Sequence, residues 1–487
     1  MLTYTDADGD HATLTISKGT LAAGMFTFDT GGVTGDNSAK QQLQIIDMSA
    51  AADLDGAIIT MKVTKAGGGD GFAAVGRIEA GTHDLGRVAI KGDLGQIHRG
   101  KGMGTMALQS LSAARLAVLD AAVNPGGSFD SQIGGGLGAL NIVGDMDSVL
   151  VQAGAIGSIT IGDSFVGGAS TNTGRIIGSS IGPVKITHDL QGGGGLFTGE
   201  IESLSTLGTV TIGGSIIDGT NDDTGEIKST GAMGAVKISG DLDGGTGMRT
   251  GRIFSGGTIA SVQIGGSILG GSKLDGGAIE STGAMGAVKI GGDVKDDTGG
   301  RSGSIQSSGT MGNVTIGGSL VGGLESHRRS GRPKRSDRQR RSDGHGENRW
   351  RCAERWRTLF RGNHHGRDWT ASDLVAGVQD GSPSGFGKGD TLIGFGASIA
   401  KIASIVIGGS VAGVVGSAET FAFESHAIGS FKLHGTTIAI PPHRASSSST
   451  PSARSSSASC ENSNFAHEIP SAPDRTARIP HRRLSEV

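Results

Sequence analysis

The chain is poor in aromatic side chains: one Tyr, three Trp and 14 Phe amount to 4% of 487 residues. Only two Cys and 10 Pro are present. Two cysteines cannot form a disulfide framework. Scarce Pro, with Gly not at every third position, excludes collagen. No apolar run reaches 18 residues, which excludes a membrane-spanning helix. The first residues, MLTYTDADGDHATLTI, lack the basic and apolar regions of a secretory signal. A formal net charge of −3 favours no class of partner.

Glycine is what the chain has in excess, 90 residues or more than twice the ordinary share. The Gly-rich stretches are studded regularly with Val, Ile and Leu rather than with Ser, Glu and Lys, which argues against simple disorder.

Those stretches repeat. One block recurs as IGSITIGDSFVGG from Ile156, IGPVKITHDLQGG from Ile181, LGTVTIGGSIIDG from Leu207, MGAVKISGDLDGG from Met233, IASVQIGGSILGG from Ile259, MGAVKIGGDVKDD from Met285 and MGNVTIGGSLVGG from Met311. The spacing is 25 residues once and 26 thereafter. A second block, G-x-I-x-S, falls between the copies: GEIES from Gly199, GEIKS from Gly225, GRIFS from Gly251, GAIES from Gly277 and GSIQS from Gly303.

Val210 and Ile212 flank Thr211, and every later copy keeps the pattern, so period-two alternation places the β-branched pair on one face. Ile216, Leu242, Ile268, Val294 and Leu320 add a further apolar ladder after the Gly pair. Runs this short cannot make helices, and paired Gly would be costly in one. A chain that turns a corner every few residues needs the freedom Gly provides. The expected fold is therefore all-β, a β-solenoid of 26-residue coils stacked about 4.8 Å apart. Such a coil has a narrow core with little room for aromatics.

Two polar positions alternate from coil to coil. One reads Ser164, Asp189, Ser215, Asp241, Ser267, Asp293, Ser319, and the other Thr160, Lys185, Thr211, Lys237, Gln263, Lys289, Thr315. The super-repeat is thus 52 residues, or two coils. A neutral rung between like charges doubles their separation to about 9.6 Å, close to the screening length at physiological salt.

The pattern extends less cleanly to LGRVAIKGDL at 85, LGALNIVGDM at 137, IASIVIGGSVAG at 402 and IGSFKLHGTT at 428. This divides the chain into a divergent β region or cap (1–75), irregular coils (76–155), regular coils (156–323) and resumed coils (374–440). Between and after these lie an Arg-rich segment (324–373) and a Ser-rich tail (441–487), both expected to lack stable structure as written.

The Arg-rich segment carries 13 Arg and 4 acidic residues between Arg328 and Arg367. Taken literally it is a nucleic-acid-binding patch, and His364, His365 and Cys352 suggest zinc, although their spacing fits no zinc motif. A shifted reading frame accounts for it better. Synonymous codons exist for HGENRWRCAERWR, from His345 to Arg357, that yield MGKIGGDVRNGG when one base is dropped. The stretch from Pro333 to Arg340 converts likewise to RSGAIDSG. The single Trp codon always becomes a Gly codon in that frame, so Trp350 and Trp356 decode as Gly. Without residues 324–373 and the tail the chain holds 23 basic and 35 acidic residues and has neither Cys nor Trp.

For chemistry the sequence offers acids. Asp6, Asp8 and Asp10 alternate around Gly9 like ligands of a hard cation, although the Glu of an EF-hand is missing. The stretch from Tyr4 to Ile16, YTDADGDHATLTI, resembles the strand ending of bacterial Ig-like and cadherin-like adhesin repeats. That resemblance implies Ca²⁺ at these three residues and a natural start upstream of Met1. Asp222 with Asp223, and Asp296 with Asp297, sit in turns where weak Ca²⁺ binding competes with simple solvation. Asp189, Asp241 and Asp293 with Lys185, Lys237 and Lys289 have the residue types of a polysaccharide-cleaving β-helix. They recur equally on every second coil, whereas an active site is unique, so a structural role is expected.

The Gly-rich coils resemble the repeat regions of bacterial adhesins and autotransporter-like surface proteins. The resemblance implies a non-enzymatic extracellular or cell-surface protein with a glycan, matrix or surface-protein partner and no nucleic acid. The alternatives are a polysaccharide-active β-helix enzyme and nucleic-acid binding through the Arg-rich segment.

Overall fold

The computed structural model describes residues 1–29, 41–99, 106–116, 129–322, 373–376, 378–379, 391–392, 400–412, 422–425, 427–440 and 456–459. Apart from Asp373 and Ser456–Ser459, the Arg-rich segment and the Ser-rich tail lie outside these residues.

One coil explains the others. Its first face is Thr198–Ser203, its second Val210–Ile212 and its third Ile216–Ile217. The next coil repeats this with Thr224–Ser229, Met233–Ile238 and Leu242–Asp243. Each strand pairs in parallel with its copy one coil on, as in Glu200 with Glu226, Val210 with Val236 and Ile216 with Leu242. The molecule is the all-β solenoid that the 26-residue period implies. Its helical content among the described residues is two short turns, Ala23–Met25 and Ala52–Leu54. None of these residues forms a helix long and apolar enough to cross a membrane.

The sequence marks two strands per period, and the structure adds a third. Strands of two residues, from Met146–Asp147 to Val411–Ala412, stack into a separate nine-stranded sheet. Their inward residues are the ladder of Ile216, Leu242, Ile268, Val294 and Leu320, all buried. Two residues suffice for a strand here because each hydrogen-bonds to coils above and below.

The core is three stacks of branched aliphatics. Val210 and Ile212 point inward from the second face and Ile201 from the first, and the copies in neighbouring coils are equally buried. Each such side chain stabilises by about 1.5–3 kcal/mol, so the summed stacks hold together a coil that has no layered interior.

Corners explain the fixed residues of G-x-I-x-S. Gly251 adopts φ +55°, and a Cβ there would run into the Asp243 carbonyl. The closing Ser is buried and serves the turn: Ser203 Oγ donates to the Thr206 carbonyl at 2.8 Å and Ser255 Oγ to that of Gly231 at 2.9 Å.

Antiparallel strands terminate the parallel ladders of the first and second faces. At the N-terminal end His11–Ile16 lies on Ala57–Thr64, the first second-face strand, and Phe26–Asp29 lies on Gln42–Asp47, the first of the first face. At the other end Thr436–Ile438 folds back on Phe431–Leu433 and Ser456–Ser459 lies on Ala422–Ser425. These strands occupy edges that would otherwise template further pairing.

Candidate functional site

Asp6, Asp8 and Asp10 occupy the turn between the strands Leu2–Thr5 and His11–Ile16. One ligand oxygen from each lies within 4.8 Å of the others. Opposed oxygens around Ca²⁺ sit at about that separation, given Ca–O distances of about 2.3–2.6 Å. Asp6 and Asp10 are buried and Asp8 is exposed. Asp6 Oδ1 accepts the N–H groups of Gly9 at 3.0 Å and Asp10 at 2.8 Å. Asp10 accepts those of Ala66 at 2.6 Å and Gly71, and Asp8 that of Asp70 at 2.9 Å. The acids therefore pin the first hairpin to the 65–71 loop. Desolvation, followed by the neighbouring Asp8, pushes the Asp6 carboxyl up to about 7. A cation would remove that repulsion.

The alternating Asp and Ser residues form a continuous rail. Ser215 N–H donates to Asp189 Oδ1 at 2.7 Å, Asp241 N–H to Ser215 Oγ at 3.0 Å, Ser267 N–H to Asp241 Oδ1 at 2.6 Å and Asp293 N–H to Ser267 Oγ at 3.1 Å. Asp and Ser are the short side chains whose oxygen reaches the amide one coil on. Charge spacing accounts for their alternation, and this hydrogen bond accounts for their presence. Lys185, Lys237 and Lys289 stand elsewhere, outward on the second face, and Asp293 pairs instead with Lys295 at 3.0 Å. No Asp–Lys pair of catalytic type is brought together at these positions.

The turn acids are similarly engaged. Asp223 holds Arg249 of the next coil through both oxygens, at 2.5 and 2.7 Å, and Asp222 accepts the Met248 N–H at 2.8 Å. Asp296 accepts the Asp297 N–H at 2.8 Å and the Ser302 hydroxyl.

A cluster that the sequence reading did not single out lies on the outer side of the first face. Arg175, Glu200, Glu226 and Arg252 are successive rungs of one column. Glu202, Lys228 and Glu280 stand in the adjoining column. Arg175 reaches Glu200 and Glu202, Lys228 lies 3.3 Å from Glu202, and Arg252 meets Glu226 at 3.2 Å and Glu280 at 2.7 Å. Arg175 also lies over the Phe197 ring and Arg252 over that of Phe254. Glu200 and Glu226 are buried, neighbours in register and alike in charge. Desolvation first, then Glu226, raises the Glu200 carboxyl to about 8. Desolvation raises Glu226 to about 7, opposed by Arg252 and Lys228. Four acids facing three bases leave one negative charge uncompensated, which protonation of Glu200, the more strongly raised of the two buried carboxyls, neutralises. The signal was available in the variable positions of G-x-I-x-S, which are charged in some coils and apolar in others.

The fold and these sites define a three-faced parallel β-solenoid with a hydrogen-bonded corner rail and a sealed ionic cluster. Comparison with protein-family models, curated proteins and solved structures finds no match to this chain.

Proposed function

We propose that the chain is a non-enzymatic structural and adhesive rod of the cell surface or extracellular space, of the kind found in Gly-rich bacterial adhesins. The observation that carries this reading is the engagement of its acids in coil-to-coil bonds. Asp189, Asp241 and Asp293 accept backbone amides, and Glu200 and Glu226, the carboxyls with acid–base character, have almost no solvent exposure. What faces outward instead is a set of polar side chains at fixed spacing, suited to a glycan, a matrix or another surface protein. Ca²⁺ at Asp6, Asp8 and Asp10 would fasten the N-terminal cap in this setting.

Binding of the full chain to immobilised glycans and matrix proteins tests the proposal, alongside a turnover screen on acidic polysaccharides. Saturable binding without turnover is expected. Turnover abolished by Glu226→Gln with the fold intact would favour the polysaccharide-active alternative, for which the paired Glu200 and Glu226 are the chemically suitable residues.

A further inference from the structure

Charge sets the second face apart. From His11–Ile16 to Thr436–Ile438, no strand of this face among the described residues contains Asp or Glu. First-face strands hold Asp47, Glu79, Asp130, Glu200, Glu226 and Glu280, and the third face holds Asp147 and Asp243. Bases do not avoid the second face: Lys62, Arg87, Lys185, Lys237, Lys289 and Lys432 are exposed on it. None of the six makes an ion pair among the described residues. A rod that is acidic elsewhere thus has one basic, acid-free side.

The positive charges are ordered. Lys185, Lys237 and Lys289 stand in one column, alternating in register with Thr211 and Gln263, and Lys432 belongs to the same column. In the regular coils each Lys is two coils from the next, about 9.6 Å. Thr209, Ala235, Ser261 and Ala287 line the neighbouring column, so a smooth strip runs beside the ammonium groups and a linear polymer can lie along it. The rail acids stand round the next corner, with Oδ1 turned along the rod to an amide of the following coil. Screening over about 8 Å at physiological salt confines attraction and repulsion to the face in contact. A polyanion is therefore attracted here and turned away from the acid-bearing faces.

The spacing selects among polyanions. A nucleic-acid strand carries a phosphate about every 3.4 Å and is held on aromatic platforms, whereas Tyr4 and Phe431, the aromatics of this sheet among the described residues, are buried. A pyranose ring with its bridging oxygen is about as long as one coil is high, roughly 5 Å. A polysaccharide in which a charged sugar alternates with a neutral one therefore carries one anion per two coils. We propose that the second face binds a linear acidic polysaccharide of this alternating kind, laid along the rod with its anionic groups on Lys185, Lys237 and Lys289. The assignment rests on the adhesive reading above and names the class of glycan. Each contact is an exposed ion pair and weak by itself, so affinity accumulates with the number of disaccharides engaged.

The test is titration of the full chain with size-defined hyaluronan oligosaccharides, which carry one carboxylate per disaccharide. Lys185 and Lys289 are four coils apart, about 19 Å, a span that the three carboxylates of a hexasaccharide cover and the single one of a disaccharide does not. The hexasaccharide should bind at least ~10-fold more tightly than the disaccharide. Its affinity should fall at least ~10-fold on going to about 0.5 M salt. Lys185→Gln/Lys237→Gln/Lys289→Gln, whose melting temperature should match the parent's, should weaken binding by as much. A control lying off this face, Lys18→Gln/Lys273→Gln/Lys295→Gln, should bind as the parent does. Equal affinity for the two lengths, or binding undiminished by the three Lys substitutions, would overturn the proposal. So would capture by phosphatidylserine vesicles without binding of hyaluronan, which assigns the face to a membrane, or self-association lost in the Lys variant, which assigns it to a second copy. If neutral glycans or matrix proteins bind and hyaluronan does not, this assignment fails alone; if none of them binds, the adhesive reading fails with it.

Discussion

Asp241 Oδ1 accepts the backbone N–H of Ser267, one coil further along, at 2.6 Å. The Asp241 N–H is itself held by Ser215 Oγ at 3.0 Å. The side chain is thus one link in a column that ties coil to coil through a corner where no strand pairing is available.

Replacing Asp241 by Ala leaves the Ser267 amide without its acceptor, and a lost bond of this kind costs about 1–3 kcal/mol. Asp241→Ser restores an oxygen of the type used on alternate coils and should cost under about 1 kcal/mol. Urea denaturation of the two variants measures the difference. Equal losses would show that the carboxylate charge, rather than the acceptor, matters at this position.

Glu200 and Glu226 give the rod an unusual pH dependence. Their folded-state values of about 8 and about 7 stand above the ordinary 4.5, so between those limits the folded chain binds more protons than the unfolded one. Stability from this pair is complete below about pH 4.5 and declines as pH rises towards about 8, by a few kcal/mol in all. Asp6, raised to about 7, acts in the same direction. Thermal midpoints should therefore be higher at pH 5.5 than at pH 8.5, and Glu226→Gln should flatten the profile. A midpoint that rises across this range in the parent chain would refute the raised carboxyl values.

Glycine is indispensable at some positions and incidental at others. Gly251 has φ +55° and no room for a Cβ, so Gly251→Ala should cost about 1–3 kcal/mol or more. At Gly300 the nearest atom to an added Cβ is Leu274 Cδ1 at 3.4 Å, in ordinary contact. Gly300→Ala should be neutral within about 0.5 kcal/mol. Parallel melts of the two variants decide the point.

At the N-terminal turn, millimolar Ca²⁺ at pH 7.5 should raise the melting temperature of the cap, followed by exchange of the amides of Ala66 and Gly71. Asp8→Asn should abolish the response while leaving the fold intact, because Asp8 is exposed. Asp10→Asn should loosen the 65–71 loop even without Ca²⁺, since Asp10 accepts amides there. A Ca²⁺ response that survives Asp8→Asn would place the ion elsewhere.

The rail also tests the reading frame. Among its described members Asp and Ser alternate from Asp145 to Ser319, and then Ser410 follows Ser directly, its N–H on Ser319 Oγ at 3.1 Å. One coil bearing Asp is due between them. The shifted frame of His345 to Arg357 supplies one such Asp with its Lys. Sequencing the gene across this region should find the compensating indels, and the restored chain should carry one further coil. A gene that reads as written would remove this explanation.

Much of the fold was legible because its period is written into the chain. Strict recurrence of Val210, Ile212 and Ile216 fixes strand, face and stacking together. The third strand escaped because two residues such as Ile216 and Ile217 carry no periodicity of their own. At the candidate sites, Asp6, Asp8 and Asp10 are close in sequence, so their convergence could be foreseen. Their bonds to Ala66, Asp70 and Gly71 could not, since these depend on how the hairpin lands on a loop some 60 residues away. The Glu200–Glu226 pair was hidden for another reason: variable positions in a repeat look like solvated surface until register stacks them one above the other.

With the ladders of its first and second faces closed by antiparallel strands at both ends, the solenoid can change length without exposing a new edge on either. The rail sets the permitted step. Removing one regular coil of 26 residues would bring Asp189 onto Asp241 or Ser215 onto Ser267, whereas removing 52 preserves every partner. The molecule behaves as a ruler graduated in pairs of coils, and relatives that differ in length by recombination should differ by whole pairs.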